Sequence, residues 1–405
     1  MNHDRRPTVL FVDDEQAILD GLQNSLRKYR KRWNIVVALG GNEAIDVLRH
    51  HDVDVIVSDM RMPGMDGAEL LTWAKENTPA AVRIVLSGQA ARETVERAIP
   101  VVHQYLAKPC DTARLSSILE RTEKFCSTIT EPCLREGVGR FATVPTAPGT
   151  RHEVLDQLGH PEPSVRRVTE IVAGHPSLAT SVLQVANLDY FGDAATITSV
   201  PRAVNTLGVD TVVSLARSMH WADCGPVDLC GCGVRHAGRD RSVVRAELAR
   251  SLASDPATGD TAFSAALLSK VGRLFLASAC RTGYREVLAA REEADRCLHS
   301  IEREFFGVDD ADVAAHTLGM WGLPEVIVDA VGRQYDLHPA GATPLRAILH
   351  AADVLSREVC SADGCADCTI EMDLDFIDAA GCRGEVERWR RTADEITALH
   401  RTAGP

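Results

Sequence analysis

Between residues 8 and 110 four short apolar runs each deliver a polar group at their C-terminal end. Val9-Leu10-Phe11-Val12 runs into Asp13-Asp14, and the run from Val53 to Ser58 ends in Asp59. Arg83-Ile84-Val85-Leu86 ends in Ser87, and Tyr105-Leu106-Ala107 ends in Lys108-Pro109. A further strand-like run covers 34–39. Between the runs apolar residues recur at helical spacing, as in Ala17-Ile18, Leu22 and Leu26, or Leu70-Leu71 and Ala74. Strand–helix alternation at this pitch predicts a five-stranded, doubly wound parallel sheet covered on both faces. The C-terminal strand edges of such a sheet share one crevice, so the polar ends should meet there.

Those groups suit one chemistry. Asp59 is placed as a nucleophile toward an already activated phosphorus. Asp13 and Asp14 supply hard oxygen ligands, which Mg2+ prefers. Three carboxylates without a cation would repel one another, so the metal belongs to the expectation. Lys108 then pairs with a phosphoryl oxygen, and Ser87 hydrogen-bonds another. A proline after the lysine fits a turn that aims the ammonium inward.

The pattern resembles the receiver domain of two-component response regulators over residues 8–125. The stretch Asp59-Met60-Arg61-Met62-Pro63-Gly64-Met65-Asp66-Gly67 is the most specific marker. The resemblance implies that Asp59 is the phosphoacceptor and a sensor histidine kinase the donor. It implies Mg2+ held by Asp14, Asp59 and the backbone carbonyl of Arg61, with Asp13 acting through water. It also implies a switch pair, Ser87 and Tyr105, in which the ring turns inward once the hydroxyl is drawn to phosphate.

The receiver reading covers 1–125. Residues 126–150 hold Pro132, Gly137, Gly139, Pro145, Pro148 and Gly149 with weak periodicity, and read as a linker and domain entry. Beyond them strand signals stop. Ser164 and Ser199 are placed to cap helices, Pro176 stands at a first helical position, and Gly208 ends a helix. Further helices are expected near 242–254, 262–280, 285–305, 310–321, 324–335, 344–358 and 384–400.

Several strings in this half resemble the HDOD domain, an all-α relative of HD-type metal phosphohydrolases, over 138–358. They include Ile171-Val172-Ala173-Gly174-His175-Pro176, Val185-Ala186-Asn187, Tyr190-Phe191-Gly192 and Met320-Trp321-Gly322-Leu323-Pro324. The family's His-Asp metal pair would fall at Ser269-Lys270, where an ammonium stands in place of a ligand. Other histidine positions read Arg241, Asp310 and Gln334-Tyr335. The resemblance therefore implies a non-catalytic output module that docks an unidentified protein partner. His299, His316 and His350 read as surface or satisfied core groups. The alternative is a receiver-gated cyclic-dinucleotide phosphodiesterase of the HD-GYP type, which Ser269-Lys270 and the missing Gly-Tyr-Pro string disfavour. Lys270 is expected near the edge of an apolar helix face, reaching solvent or a carboxylate.

Residues 359–405 form a cysteine-containing loop and a helix expected to pack on the output module. Cys224, Cys230 and Cys232, with His236, and Cys360, Cys365 and Cys368 offer thiolates for zinc or an iron–sulfur centre. Cys365 and Cys368 have the two-residue gap of a zinc knuckle, but Cys230-Gly231-Cys232 is a poor finger spacing and neither stretch belongs to the family resemblance, which favours plain thiols. The net charge of −13 without a dominant basic segment argues against nucleic acid and membrane as partners. A helix-turn-helix outline at Ser199–Met219 offers only Arg202 and Arg217 for DNA. No apolar run approaches the ~20 residues of a membrane span and no signal peptide is visible, so a cytoplasmic protein is expected. At 405 residues the chain should hold two or three domains.

Overall fold

The computed structural model describes residues 6–87, 101–108, 112–159, 163–188, 196–219, 221–222, 241–293, 296–360 and 371–402. The first part alternates β1 (Thr8–Asp13), α1 (Gln16–Ser25), β2 (Asn34–Leu39), α2 (Gly41–His50), β3 (Val55–Asp59), α3 (Gly67–Asn77), β4 (Val82–Ser87), β5 (Gln104–Ala107) and α4 (Thr112–Thr128). The strands form one parallel sheet in the order β2-β1-β3-β4-β5. β1 and β3 are buried on both faces, the reason their sequences run apolar without alternation. All five strands fall within two residues of the expected runs. Asp66 caps α3 by accepting the Glu69 N–H while the Glu69 carboxylate accepts the Asp66 N–H, a reciprocal capping box.

Helices follow: α5 (Pro132–Gly139), α6 (Thr150–Leu158), α7 (Val165–Ala173), α8 (Pro176–Ala186), α9 (Val200–Leu207), α10 (Val209–Ser218), α11 (Arg241–Leu252), α12 (Pro256–Leu268), α13 (Val271–Ala279), α14 (Arg281–Glu293) and α15 (Leu298–Phe306). The chain continues through α16 (Asp310–Met320), α17 (Glu325–Gly332), α18 (Pro344–Cys360), α19 (Leu374–Ala379) and α20 (Val386–Thr402). Ser164 and Ser199 cap α7 and α9 as expected, and Pro176 opens α8. α20 closes on α11, where the Trp389 indole N–H donates to the Leu252 carbonyl at 2.8 Å.

Four expectations need correction. The stretch read as a pattern break contains α5, which has proline at its first turn and buries Leu134 and Val138. The helix expected over 262–280 is two helices that part at Ser269-Lys270. The single helix expected over 285–305 is α14 and α15, with Cys297 at the start of the second. The segment Pro256–Ala279 is long and apolar enough by length and composition to cross a membrane, contrary to the sequence reading, but it lies mostly buried inside the helical core.

α5 is the seam between sheet and helices. At Gly139 an added Cβ would lie 2.1 Å from the Pro79 carbonyl oxygen, and at Gly137 it would lie 2.4 Å from the Ala279 Cβ. Neither site has room for a side chain. Arg135 on the same helix pairs with the buried Asp54 at 3.0 Å. The Cys280 thiol donates to Cys133 Sγ at 2.7 Å, tying α5 to the end of α13.

Candidate functional site

At the C-terminal edge of the sheet, β1 and β3 lie side by side and present Asp13 and Asp59. Asp13 is 1% exposed and Asp59 8%. Asp13 Oδ1 accepts the Glu15 N–H at 3.0 Å, and Asp59 Oδ2 accepts the Arg61 N–H at 2.6 Å. The remaining oxygen of each carboxylate meets Lys108. Its Nζ donates to Asp13 Oδ2 at 2.7 Å and also contacts Asp59 Oδ1. Burial would lower the pKa of Lys108, but hydrogen bonds and charge from Asp13 and Asp59 more than reverse this and raise it. The lysine is therefore a fixed cation between two fixed carboxylates. Gly67, which opens α3, is required here: a Cβ would lie 2.2 Å from the Asp59 carbonyl oxygen.

Asp14 is exposed beside this pair, and so is Arg61. Asp13, Asp14, Asp59 and the Arg61 carbonyl offer only hard oxygens, the ligand type Mg2+ takes. Among the described residues no three acidic, histidine or cysteine side chains converge on one point as they stand. The oxygen set fits the ion in chemistry. Tyr105 on β5 is buried, and burial pushes its phenol pKa well above the usual value. Tyr105 registers with Val85, and Ser87 with Ala107. The Ser87 side chain lies outside the described residues, as do Pro109, Tyr190 to Gly192, Cys224, Cys230, Cys232, His236, Cys365, Cys368 and the Cys360 side chain.

β5 leads from this site to the helices. Gln184 of α8 donates to the His103 carbonyl at 3.0 Å, and Gly322, at φ +76°, lies against the Gln104 side chain. Arg83, on β4, is fully buried and has no carboxylate partner among the described residues. Its guanidinium donates instead to the carbonyls of Val101 (2.6 Å), Ala81 (3.1 Å) and Gly139 (2.8 Å). Burial lowers its pKa. The buried His103 ring, held neutral by burial and by the Arg83 charge, accepts the Arg83 backbone N–H at Nδ1 and faces the Gly139 carbonyl with Nε2 at 3.1 Å.

A second polar cluster lies in the helical half. Lys270 Nζ donates to Gln334 Oε1 (2.8 Å) and Tyr335 Oη (2.9 Å) and pairs with Asp353 at 3.4 Å. Tyr335 donates to Asp310 at 2.9 Å, and Arg273 pairs with Asp310 at 3.3 Å. Arg245 and Arg357 also reach Asp353, at 3.1 and 2.8 Å. The sequence reading of Lys270 is half corrected. The ammonium does pair with a carboxylate, but at 7% exposure it does not reach solvent. It lies where α12 breaks into α13, at the N-terminal cap of α13, rather than on one helix face. Burial pushes its pKa down to about 8, against the pull of Asp353 and Asp310. Asp310, Gln334 and Tyr335 gather around Lys270, and Arg245 joins them through Asp353. Asp353, Arg273 and Glu302 were not legible from the sequence. Arg273 stands in an apolar helical run, and that mismatch was the available signal; Asp353 and Glu302 stand in helices that carry other charges, where one more reads as surface.

Comparison with known proteins matches these two halves separately. The family model for the response regulator receiver domain matches residues 9–120, and the HDOD domain model matches residues 144–337. Among curated relatives, the uncharacterized transcriptional regulatory protein YesN of Bacillus subtilis is 34% identical over 114 residues, 28% of this chain and 31% of the relative. The hydrogenase transcriptional regulatory protein HoxA of Cupriavidus necator is 35% identical over 108 residues, 26% of this chain and 22% of the relative. The chain thus spans a third or less of the length of these two relatives. Among solved structures, the signal receiver domain of an HD domain-containing protein from Pseudomonas fluorescens Pf-5 is 30% identical. It covers 30% of this chain and 97% of its own, with a TM-score of 0.29. The MmoQ response regulator from Methylococcus capsulatus is 22% identical over 61% of this chain and 98% of its own, with a TM-score of 0.45.

Proposed function

The chain is a two-component response regulator with an N-terminal receiver domain and a C-terminal HDOD domain, and from that premise we propose that a sensor histidine kinase phosphorylates it on Asp59 in the cytoplasm. The supporting observation is the Lys108 ammonium bridging Asp13 and Asp59 at the mouth of the parallel sheet. Asp59 Oδ1 is the oxygen held by the lysine, while Oδ2 is held by the Arg61 amide. The carboxylate is thereby oriented before a donor arrives, which removes part of the entropic cost of transfer. Mg2+ held by Asp14, Asp59 and the Arg61 carbonyl, with Asp13 through water, would offset charge on the transferring phosphoryl. Lys108 then exchanges its contact with Asp59 for one with a phosphoryl oxygen, Ser87 donates to another, and Tyr105 follows Ser87.

We read the HDOD module as a non-catalytic output that docks a protein partner. Support comes from Lys270, whose ammonium fills the centre of the polar cluster where a hydrolytic metal would need neutral imidazoles and carboxylates. The signal's route is the β5–α8 and β4–α5 contacts, since these join the switch strand to the helices. The domain division that goes with this reading is a receiver over 1–125, an entry segment over 126–150, an output module over 138–358 and a C-terminal part over 359–405.

Acetyl phosphate with Mg2+ should label the protein, and Asp59→Asn should abolish the label, as should EDTA. Equal labelling of the variant would refute the assignment. Turnover of cyclic di-GMP by the unmodified chain with added Mn2+ would replace the docking reading with a phosphodiesterase.

A further inference from the structure

Beside the Lys270 cluster the helical half contains a cavity of about 180 Å3. Its walls include Arg245, Ser269, His299, Gln334, His350 and Asp353. Among the described residues that line it Asp353 is the sole acidic side chain, and Arg245 on the wall and Lys270 and Arg357 behind it all turn to it. Burial alone would raise its pKa; Lys270, Arg357 and Arg245 reverse this and hold it far below the usual carboxylate range. On the wall itself Arg245 and Asp353 balance, but behind it Lys270, Arg273 and Arg357 outnumber Asp310, so the surroundings of the cavity are positively charged. Buried charge of that kind is costly unless it meets a counter-ion.

Donors on the wall are also left over. Arg245 is 8% exposed, and its Nε faces Asp353 without a hydrogen bond of good geometry. His350 is 6% exposed. Its Nε2 accepts the Asp373 backbone N–H at 2.8 Å, so the neutral ring carries its proton on Nδ1. No acceptor for that proton is found among the described residues. His299 makes no hydrogen bond through its ring there either; it stacks on Tyr335 at 4.0 Å between centroids. Burial lowers the pKa of both histidines, which keeps them neutral donors.

We infer that this cavity is a binding site for the phosphate group of a small molecule. A tetrahedral oxyanion offers acceptors in several directions, which matches donors arriving from α11, α15 and α18. It supplies negative charge to surroundings in which cations outnumber carboxylates. The volume limits the ligand: an apolar cavity of roughly 150 Å3 holds a benzene-sized body, so the occupant is a phosphate or a short phosphate ester. The module would then report a small solute as well as the phosphorylation of its receiver.

Calorimetric titration of the full chain with inorganic phosphate, at ionic strength held constant with NaCl, tests this. The wild type should bind one equivalent. His299→Phe keeps the ring stack and removes the donor, so affinity should fall about tenfold or more. Leu337→Trp fills the cavity from a half-buried position on its wall and should abolish binding. Absence of binding to the wild type would overturn the inference. So would equal affinity in all three proteins, since that result would place the phosphate elsewhere, the receiver included.

Discussion

Lys108 is bonded to both carboxylates that a phosphoryl group would approach, so its removal should separate two events. Without it Asp59 keeps its Arg61 hydrogen bond and stays in place. Lys108→Ala should therefore still accept label from acetyl phosphate. It should lose most of the change in hydrogen exchange that beryllium fluoride induces in β5 and α8, because the lysine's contact is made with the product. A wild-type exchange response in this variant would count against the proposed route. Asp353 makes a prediction of the opposite kind, about stability. Its folded-state pKa lies below the unfolded value, so on acidification the unfolded chain takes up the proton first. The contribution of the ionised carboxylate is complete above about pH 4 and is lost as pH falls toward the lower folded value. Asp353→Asn should cost about 3 kcal/mol at pH 7, because it strands buried cations. In urea melts that gap should narrow at pH 3, and a constant gap would show that the carboxylate's charge is not what stabilises. The two residues also differ in how far they could be read in advance. Asp13, Asp59 and Lys108 end apolar strands, where a polar residue stands out. Asp353 and Arg245 sit inside amphipathic helices, where one more charge reads as surface. Only packing shows that both are buried.

At the level of elements, the strands were legible because each is bounded twice, by apolar content and by a polar end. α5 was not, because its signals resemble those of a loop. Pro132 reads as a breaker but opens the helix, and Gly137 and Gly139 read as flexible but mark where Ala279 and Pro79 come too close for a Cβ. The break between α12 and α13 was hidden for a related reason. Leu267, Leu268, Val271 and Leu274 keep an apolar pattern straight through Ser269-Lys270, and only the buried ion pairs of Lys270 show that the chain turns there. Gly139→Ala should push α5 away from the sheet. Overpacking of this kind costs about 1–3 kcal/mol, and it should appear as a lower Tm together with faster exchange of α5 amides. Exchange in β1 and β3 should remain as in the wild type; faster exchange there would show that the seam is not a local unit.

On the scale of the whole molecule, sheet and helices meet through buried polar contacts rather than through a tether alone. Arg83, His103 and the Gly139 carbonyl form one such contact, Asp54 with Arg135 another, and Gln184 with the His103 carbonyl a third. Buried hydrogen bonds of this type are demanding, since separating the halves leaves each group without its partner unless water replaces it. Thermal unfolding of the intact chain should therefore show one calorimetric transition, and Arg83→Met should split it in two. A single sharp transition in that variant would mean that apolar packing alone joins the halves. The α5 seam also bears on how such a chain can be recombined. Receivers are often pictured as exchangeable cartridges, but a graft at residue 128 would retain a helix shaped to the Pro79 carbonyl, to Asp54 and to Arg83 of the discarded part. A foreign receiver would have to supply a carbonyl, a carboxylate and a guanidinium at those points, so heredity of the two halves should be joint, with substitutions at positions 54, 79, 83, 135 and 139 travelling together.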